Sequence, residues 1–221
     1  MIHKTRGVVF RMTRFGDTSV IVNVFTEAFG LQSYLVNGVR SRSAKGKAAL
    51  YQPLTLLDMV VYHKEHGNIM RIKEARCWYA YQHIGRDMRK TSIALFLDEV
   101  MNKAVREQSH TQELATFLMD SLVTLDQTDV PENFHLFFLV QLARHLGFGA
   151  HAPQEILEGR WLDDAGEESL KQLLGASDHA QVKLNQAQRR VLLDELLLFF
   201  RGHLEGFGEM KSVAVLREVM S

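Results

Sequence analysis

The chain has 221 residues, 46% hydrophobic and 24% charged, which suits one large or two smaller soluble globular domains with a real core. A single cysteine, Cys77, excludes an internal disulfide and a cysteine-rich zinc module, and no apolar run reaches the ~18 residues of a membrane span. Net charge is zero but unevenly spread: residues 1–80 hold 12 of the 26 Lys+Arg and 5 of the 26 Asp+Glu, a net of +7, leaving −7 for the rest. The start MIHKTRG lacks the apolar stretch of a signal peptide, so a cytoplasmic protein is expected.

Residues 6–76 read as five short strands. Val8, Phe10 and Met12 alternate with Arg11 and Thr13, giving one apolar and one mixed face. A turn at Phe15-Gly16-Asp17 leads to Ser19–Thr26, rich in β-branched residues and apolar on both faces. Gly30 closes the next turn and GLQSYLV forms the third strand; PLTLLDMVVY is the fourth. The fifth, IMRIKEA, puts Arg71 and Lys73 on one side and Met70 and Ile72 on the other.

Between the third and fourth strands lies GVRSRSAKGK, Gly38 to Lys47, with Arg40, Arg42, Lys45 and Lys47 and no acid. A mobile cationic connection with serine and glycine donors suits a phosphate backbone, although a plain solvated loop has the same composition. The strand cations Arg11, Arg14, Arg71 and Lys73 extend the basic character, and Tyr34 or Phe15 offers a stacking ring if it faces outward. Five strands in about seventy residues predict a small closed barrel, with the oligonucleotide-binding (OB) barrel leading and an SH3-like barrel the alternative.

Past Cys77 the period becomes helical. Ser92–Val105 places Ile93, Leu97, Val100, Met101 and Ala104 on one face, with Thr91 or Ser92 as cap. A second helix spans about 112–125. Pro131 is expected at the first position of a third, 132–146, apolar nearly all round and ending at Gly147. Residues 148–186 are acidic and weakly periodic, and helices over about 186–203 and 211–220 finish the chain. The fold class is therefore an α+β multidomain protein: an OB-type nucleic-acid-binding domain over 1–80, followed by an all-helical domain over 81–221.

Catalytic signatures are missing. Gly46-Lys47 has Ser41 where a P-loop needs glycine and Ala48 where it needs Ser or Thr. No G-x-G-x-x-G or G-x-S-x-G occurs. Cys77 with His83 lacks a third partner, and His63 with His66 lies in a turn between strands, so neither makes an active or metal site. No enzyme is predicted.

GVVFRMTRFGDTSVIVNVFTEAFGLQSYLVNGVRS followed by LYQPLTLLDMVVY resembles the opening of the bacterial recombination mediator RecO family. The likeness rests on Phe15-Gly16-Asp17, the Phe25-Thr26 to Gly30 turn, Gly38 with Arg40, and Tyr51-Gln52-Pro53-Leu54. It extends to the C-terminal helix near His203-Leu204 and to Lys211-Ser212. The resemblance implies a non-enzymatic protein that binds single- and double-stranded DNA and anneals complementary strands. It also implies work with RecR to load the recombinase RecA onto DNA coated by single-strand binding protein, whose acidic tail the family recognises. That tail is expected on the helical half, in an apolar pocket edged by Arg144, Arg189, Arg190 or Arg201. Many members carry a four-cysteine zinc module after the position matching Gly147. This chain has Arg160-Trp161-Leu162 and acids there, so no zinc or other cofactor is expected, and Trp161 and Leu162 are expected to hold the segment by packing. A protein–protein adaptor with an SH3-like barrel and an RNA-binding OB protein remain the other readings. No membrane partner is expected.

Overall fold

Alternation of β-branched and polar residues closes the N-terminal chain into a barrel. The computed structural model describes residues 1–39, 46–64, 67–106 and 111–220. Strands β1 (Ile2–Phe15), β2 (Ser19–Thr26), β3 (Gly30–Val36), β4 (Leu56–Tyr62) and β5 (Met70–Tyr79) form a closed barrel in the order β1-β2-β3-β5-β4. All neighbours are antiparallel except β3 and β5. That order, a Greek key with one parallel closure, is the OB arrangement, and it removes the SH3-like alternative.

The barrel interior is filled by Val9, Val20, Val22, Val24, Tyr34, Leu57, Met59, Val61 and Met70. β1 departs from simple alternation. Its register to β2 shifts between Val9 and Arg11, a bulge at Phe10. Val9 and Met12 therefore point inward, while Phe10 stacks on Phe25 at 5.8 Å on the outer side. Tyr34, expected as a stacking surface, is fully buried in this core. β3 offers leucines on one face and Tyr34 and Val36 on the other, and the barrel takes the tyrosine face.

Among the described residues seven α-helices follow: α1 (Met88–Ala104), α2 (Thr111–Gln127), α3 (Phe134–His145), α4 (Pro153–Leu157), α5 (Asp164–Gly175), α6 (Gln186–His203) and α7 (Ser212–Val219). α1 starts a turn earlier than its apolar period suggests, and Asp87 caps it by accepting the Arg89 N–H at 2.8 Å, not Thr91 or Ser92. Pro131 sits in the turn before α3, its carbonyl accepting from Phe134 N–H at 2.9 Å, and does not open the helix. Gly147 ends α3 as expected, at φ +86° with Phe148 N–H donating to the Ala143 carbonyl at 3.1 Å. In α6, Asn185 and Gln188 make a reciprocal capping box.

Trp161 does not hold its segment: it is 82% exposed. Arg160 does that work, through Glu195 at 2.7 Å and the Ile156 carbonyl at 2.8 Å, while Asp163 caps α5.

The chain divides into two compact units. The first is Met1–Gln82 with Val105–Val123, and the second is His83–Ala104 with the chain from Thr124 onward. A break near residue 80 does not anticipate that Val105–Val123 joins the barrel. The Thr111 hydroxyl donates to the Glu27 carbonyl at 3.4 Å, and its methyl lies where a Cβ on Gly30 would meet it at 2.8 Å.

Candidate nucleic-acid interface

Pairing register decides which side chains share the barrel's outer surface, because alternate residues of each strand face outward. Thr13 pairs with Ile21, Ile21 with Leu35, Leu35 with Arg71, Arg71 with Tyr62, and Tyr62 with Ile2. These six positions form one outward row across all five strands. Arg11, Asn23 and Ser33 make the parallel row beside its β1-β2-β3 part. Phe15, at the end of β1, is 50% exposed and pairs with Ser19.

Arg11, Arg71 and Lys73 are exposed on this outer surface, and Arg14 is exposed near the end of β1. Lys73 is an extra residue at a shift in the β4–β5 register, between the partners of Val61 and Val60. None of Arg11, Arg14, Lys47, Arg71 and Lys73 takes part in an ion pair among the described residues. Free guanidinium and ammonium groups on a water-facing surface are what phosphate contacts require. Two other barrel cations are engaged already. Arg76 binds Asp58 at 2.6 Å, and the Arg6 guanidinium lies 5.2 Å from the Trp78 ring. The basic loop leaves β3 just after Leu35 and Val36. Lys47 is exposed, and Arg40, Arg42 and Lys45 lie outside the described residues.

The arrangement joins Arg71 to the β1-β2-β3 face through Leu35 and excludes Tyr34. Burial pushes the Tyr34 phenol well above its ordinary range, and its hydroxyl has no hydrogen-bond partner among the described residues. Among the described barrel residues the exposed aromatic rings are those of Phe15 and Tyr62, and Tyr62 escaped the sequence reading because it ends an apolar run. Counting alternation forward from Met59 and Val61, which face in, turns it outward.

A second surface lies in the helical unit. His135 of α3, Gln186, Arg189, Arg190 and Leu193 of α6, and Leu216, Arg217 and Met220 at α7 line a small pocket with an apolar floor and three guanidiniums. Arg189 donates to the Leu184 carbonyl at 2.8 Å, and Arg217 is paired with Asp194. His135 is buried with no partner for Nδ1 among the described residues. Burial, aided by the nearby Arg189 charge, pushes it down to about 3, so it is neutral. Two of the four arginines considered for this surface serve elsewhere. Arg144 donates to the Leu174 carbonyl at 2.6 Å, and Arg201 to the Gly208 carbonyl at 3.1 Å. Arg217 was missed; its place one residue after Leu216 on the last amphipathic helix is the signal for it.

Among the described residues, no helix is long and apolar enough to cross a membrane. The family model described as recombination protein O N-terminal matches residues 1–81, and the corresponding C-terminal model matches 85–165. A DNA repair protein RecO from Christiangramia forsetii is 33% identical over 237 residues, 99% of each chain. Proteins of the same name from Flavobacterium johnsoniae and Phocaeicola vulgatus are each 32% identical, over 99% and 100% of both chains.

Proposed function

The chain belongs to the RecO family of DNA repair proteins, and on that premise we propose that it is a non-enzymatic recombination mediator of the cytoplasm. It binds single- and double-stranded DNA on the barrel, anneals complementary strands, and acts with RecR to load recombinase onto DNA coated by single-strand binding protein. The observation that carries this reading is the outer barrel surface, where Arg11, Arg71 and Lys73 stand exposed with no ion pair among the described residues and Phe15 exposes its ring at the end of β1. Backbone neutralisation by such cations supplies affinity without sequence preference, and a surface that screens two strands from each other favours their pairing. The basic loop 38–47, with Arg40, Arg42, Lys45 and Lys47, adds phosphate contacts.

The acidic, apolar-ended tail of single-strand binding protein docks in the pocket of Arg189, Arg190 and Arg217. Its carboxylates meet the guanidiniums and its apolar end meets Leu193, Leu216 and Met220. The deciding experiment titrates the full chain with single-stranded DNA, duplex DNA and RNA oligomers at two ionic strengths. Salt-sensitive binding of both DNA forms is expected. Affinity for RNA alone, or binding indifferent to salt, would sink the reading.

A further inference from the structure

We propose that a single nucleic-acid strand follows the outward row from the β1-β2-β3 face past Leu35 onto β5 and β4, with Tyr62 as a base-stacking platform and Arg71 as its phosphate anchor. This rests on the reading of the barrel as DNA-binding and extends it along β5 and β4 to Tyr62, which the sequence did not single out. The geometry is set by register alone: Leu35, Arg71 and Tyr62 are successive cross-strand neighbours. Ile21 to Ile2 therefore spans four strand spacings of about 4.8 Å, or ~19 Å of unbroken outer surface.

The composition of the row fits one strand laid along it. Ile21 and Leu35 are half-buried, Tyr62 is 43% exposed and Ile2 54% exposed, so apolar surface is presented to water on both sides of Arg71. Bases cover such surface well, because every base has an apolar π-face. Arg71 stands between Leu35 and Tyr62 with no ion pair among the described residues, and Lys73 follows it two residues on.

Charge confines the path to this row. The next row toward the middle of the wall is Lys4, Val60 and Glu74, a cation set against an acid. The row beyond is Arg6, Asp58 and Arg76, where Asp58 neutralises Arg76 and Arg6 lies over Trp78. A phosphate backbone gains little there. Beside Arg71 and Lys73 it meets two cations with no ion pair among the described residues.

The test uses the full chain and a labelled oligothymidylate of about 15 nucleotides, within the site sizes of single-strand barrels. It is run beside an abasic oligomer of equal length. Tyr62→Leu keeps the apolar bulk and removes the ring. It should weaken binding to oligothymidylate about tenfold, the scale of one stacked base, and leave the salt slope unchanged. Tyr62→Phe should bind like the parent. With the abasic oligomer the Leu variant and the parent should bind alike, which a merely structural role for Tyr62 does not predict. Arg71→Ala should lower the slope of log affinity against log salt by about 0.7. Equal affinity of the Leu variant and parent for oligothymidylate, or an equal loss on the abasic oligomer, overturns the proposal while the DNA reading stands. Failure of the parent to bind either oligomer overturns both.

Discussion

The Glu99 carboxylate on α1 closes the start of α7 by accepting both the backbone N–H of Ser212 at 2.8 Å and its hydroxyl at 2.7 Å. Lys211 N–H adds a third bond at 3.0 Å, and Lys103 stands 3.4 Å away. A helix start with no side-chain cap from its own N-cap residue is thus capped from another helix, where loss of a cap costs about 0.5–2 kcal/mol.

Burial alone would raise the Glu99 pKa, but the Ser212 and Lys211 donors with Lys103 outweigh it and hold the carboxyl below its ordinary 4.5. A lowered folded-state value means that the bond contributes fully above about pH 4.5 and is lost as pH falls through the depressed value. Glu99→Ala is expected to lower the melting temperature at neutral pH by roughly 2–6 °C. Melting of parent and variant by circular dichroism should converge in acid. Because Leu216 and Arg217 of α7 line the pocket, the variant should also bind a single-strand binding protein tail peptide more weakly. Unchanged melting would mean that α7 does not depend on this cap.

Gly30 should not tolerate a side chain. At φ +64° a Cβ is strained, and it would sit 2.8 Å from the Thr111 methyl. Gly30→Ala is expected to cost about 2–3 kcal/mol, from backbone strain together with overpacking. Adding Thr111→Ser should return the steric part and leave about 1–2 kcal/mol of backbone strain. Denaturant unfolding of the single and double variants measures the difference. A double variant no better than Gly30→Ala would show that Thr111 does not press on the barrel.

The basic loop should set much of the salt dependence. Replacing Arg40, Arg42, Lys45 and Lys47 by alanine should weaken single-strand binding and flatten the log–log salt slope by about 2–3, at roughly 0.7 per phosphate released. Annealing should fall with binding. If a folded variant keeps the parental slope, the backbone contacts belong to Arg11, Arg14, Arg71 and Lys73 instead.

Tail binding should separate the arginines of the pocket from one that turns away from it. Arg190→Ala and Arg217→Ala are expected to weaken an acidic tail peptide about tenfold each, the scale of one charge-assisted pair. Arg201→Ala, whose side chain turns to the Gly208 carbonyl, should leave affinity unchanged. Isothermal titration at low salt distinguishes these outcomes, and the reverse ranking would move the tail to another surface.

Much of the architecture was legible because local patterns follow burial. The β-branched run Ser19–Thr26 and the helix Gln186–His203 lie where alternation and apolar period put them. Facing was harder. One extra residue at Phe10 turns Val9 and Met12 inward, and alternation counted through a bulge comes out wrong beyond it. Tyr34 sits on a strand with apolar residues on both faces, so nothing local chose its side. Trp161 misled for a different reason. A tryptophan is usually taken for an anchor, yet here the neighbouring Arg160 reaches Glu195 and the indole is left in water. Val105–Val123 joins the barrel unit through contacts between distant residues, Thr111 against Gly30 among them, that no window of sequence contains.

That attachment also bears on how the protein is made. The barrel strands leave the ribosome first, but the segment that completes their unit follows only after His83–Ala104, a stretch of the other unit, has been synthesised. From Gln82 to Val123 is some forty residues, roughly 2–8 s of translation at about 5–20 residues per second. For that interval the nascent barrel lacks all or part of the segment that completes its unit, and its early strands are open to chaperones and proteases for longer than those of a barrel encoded in one piece.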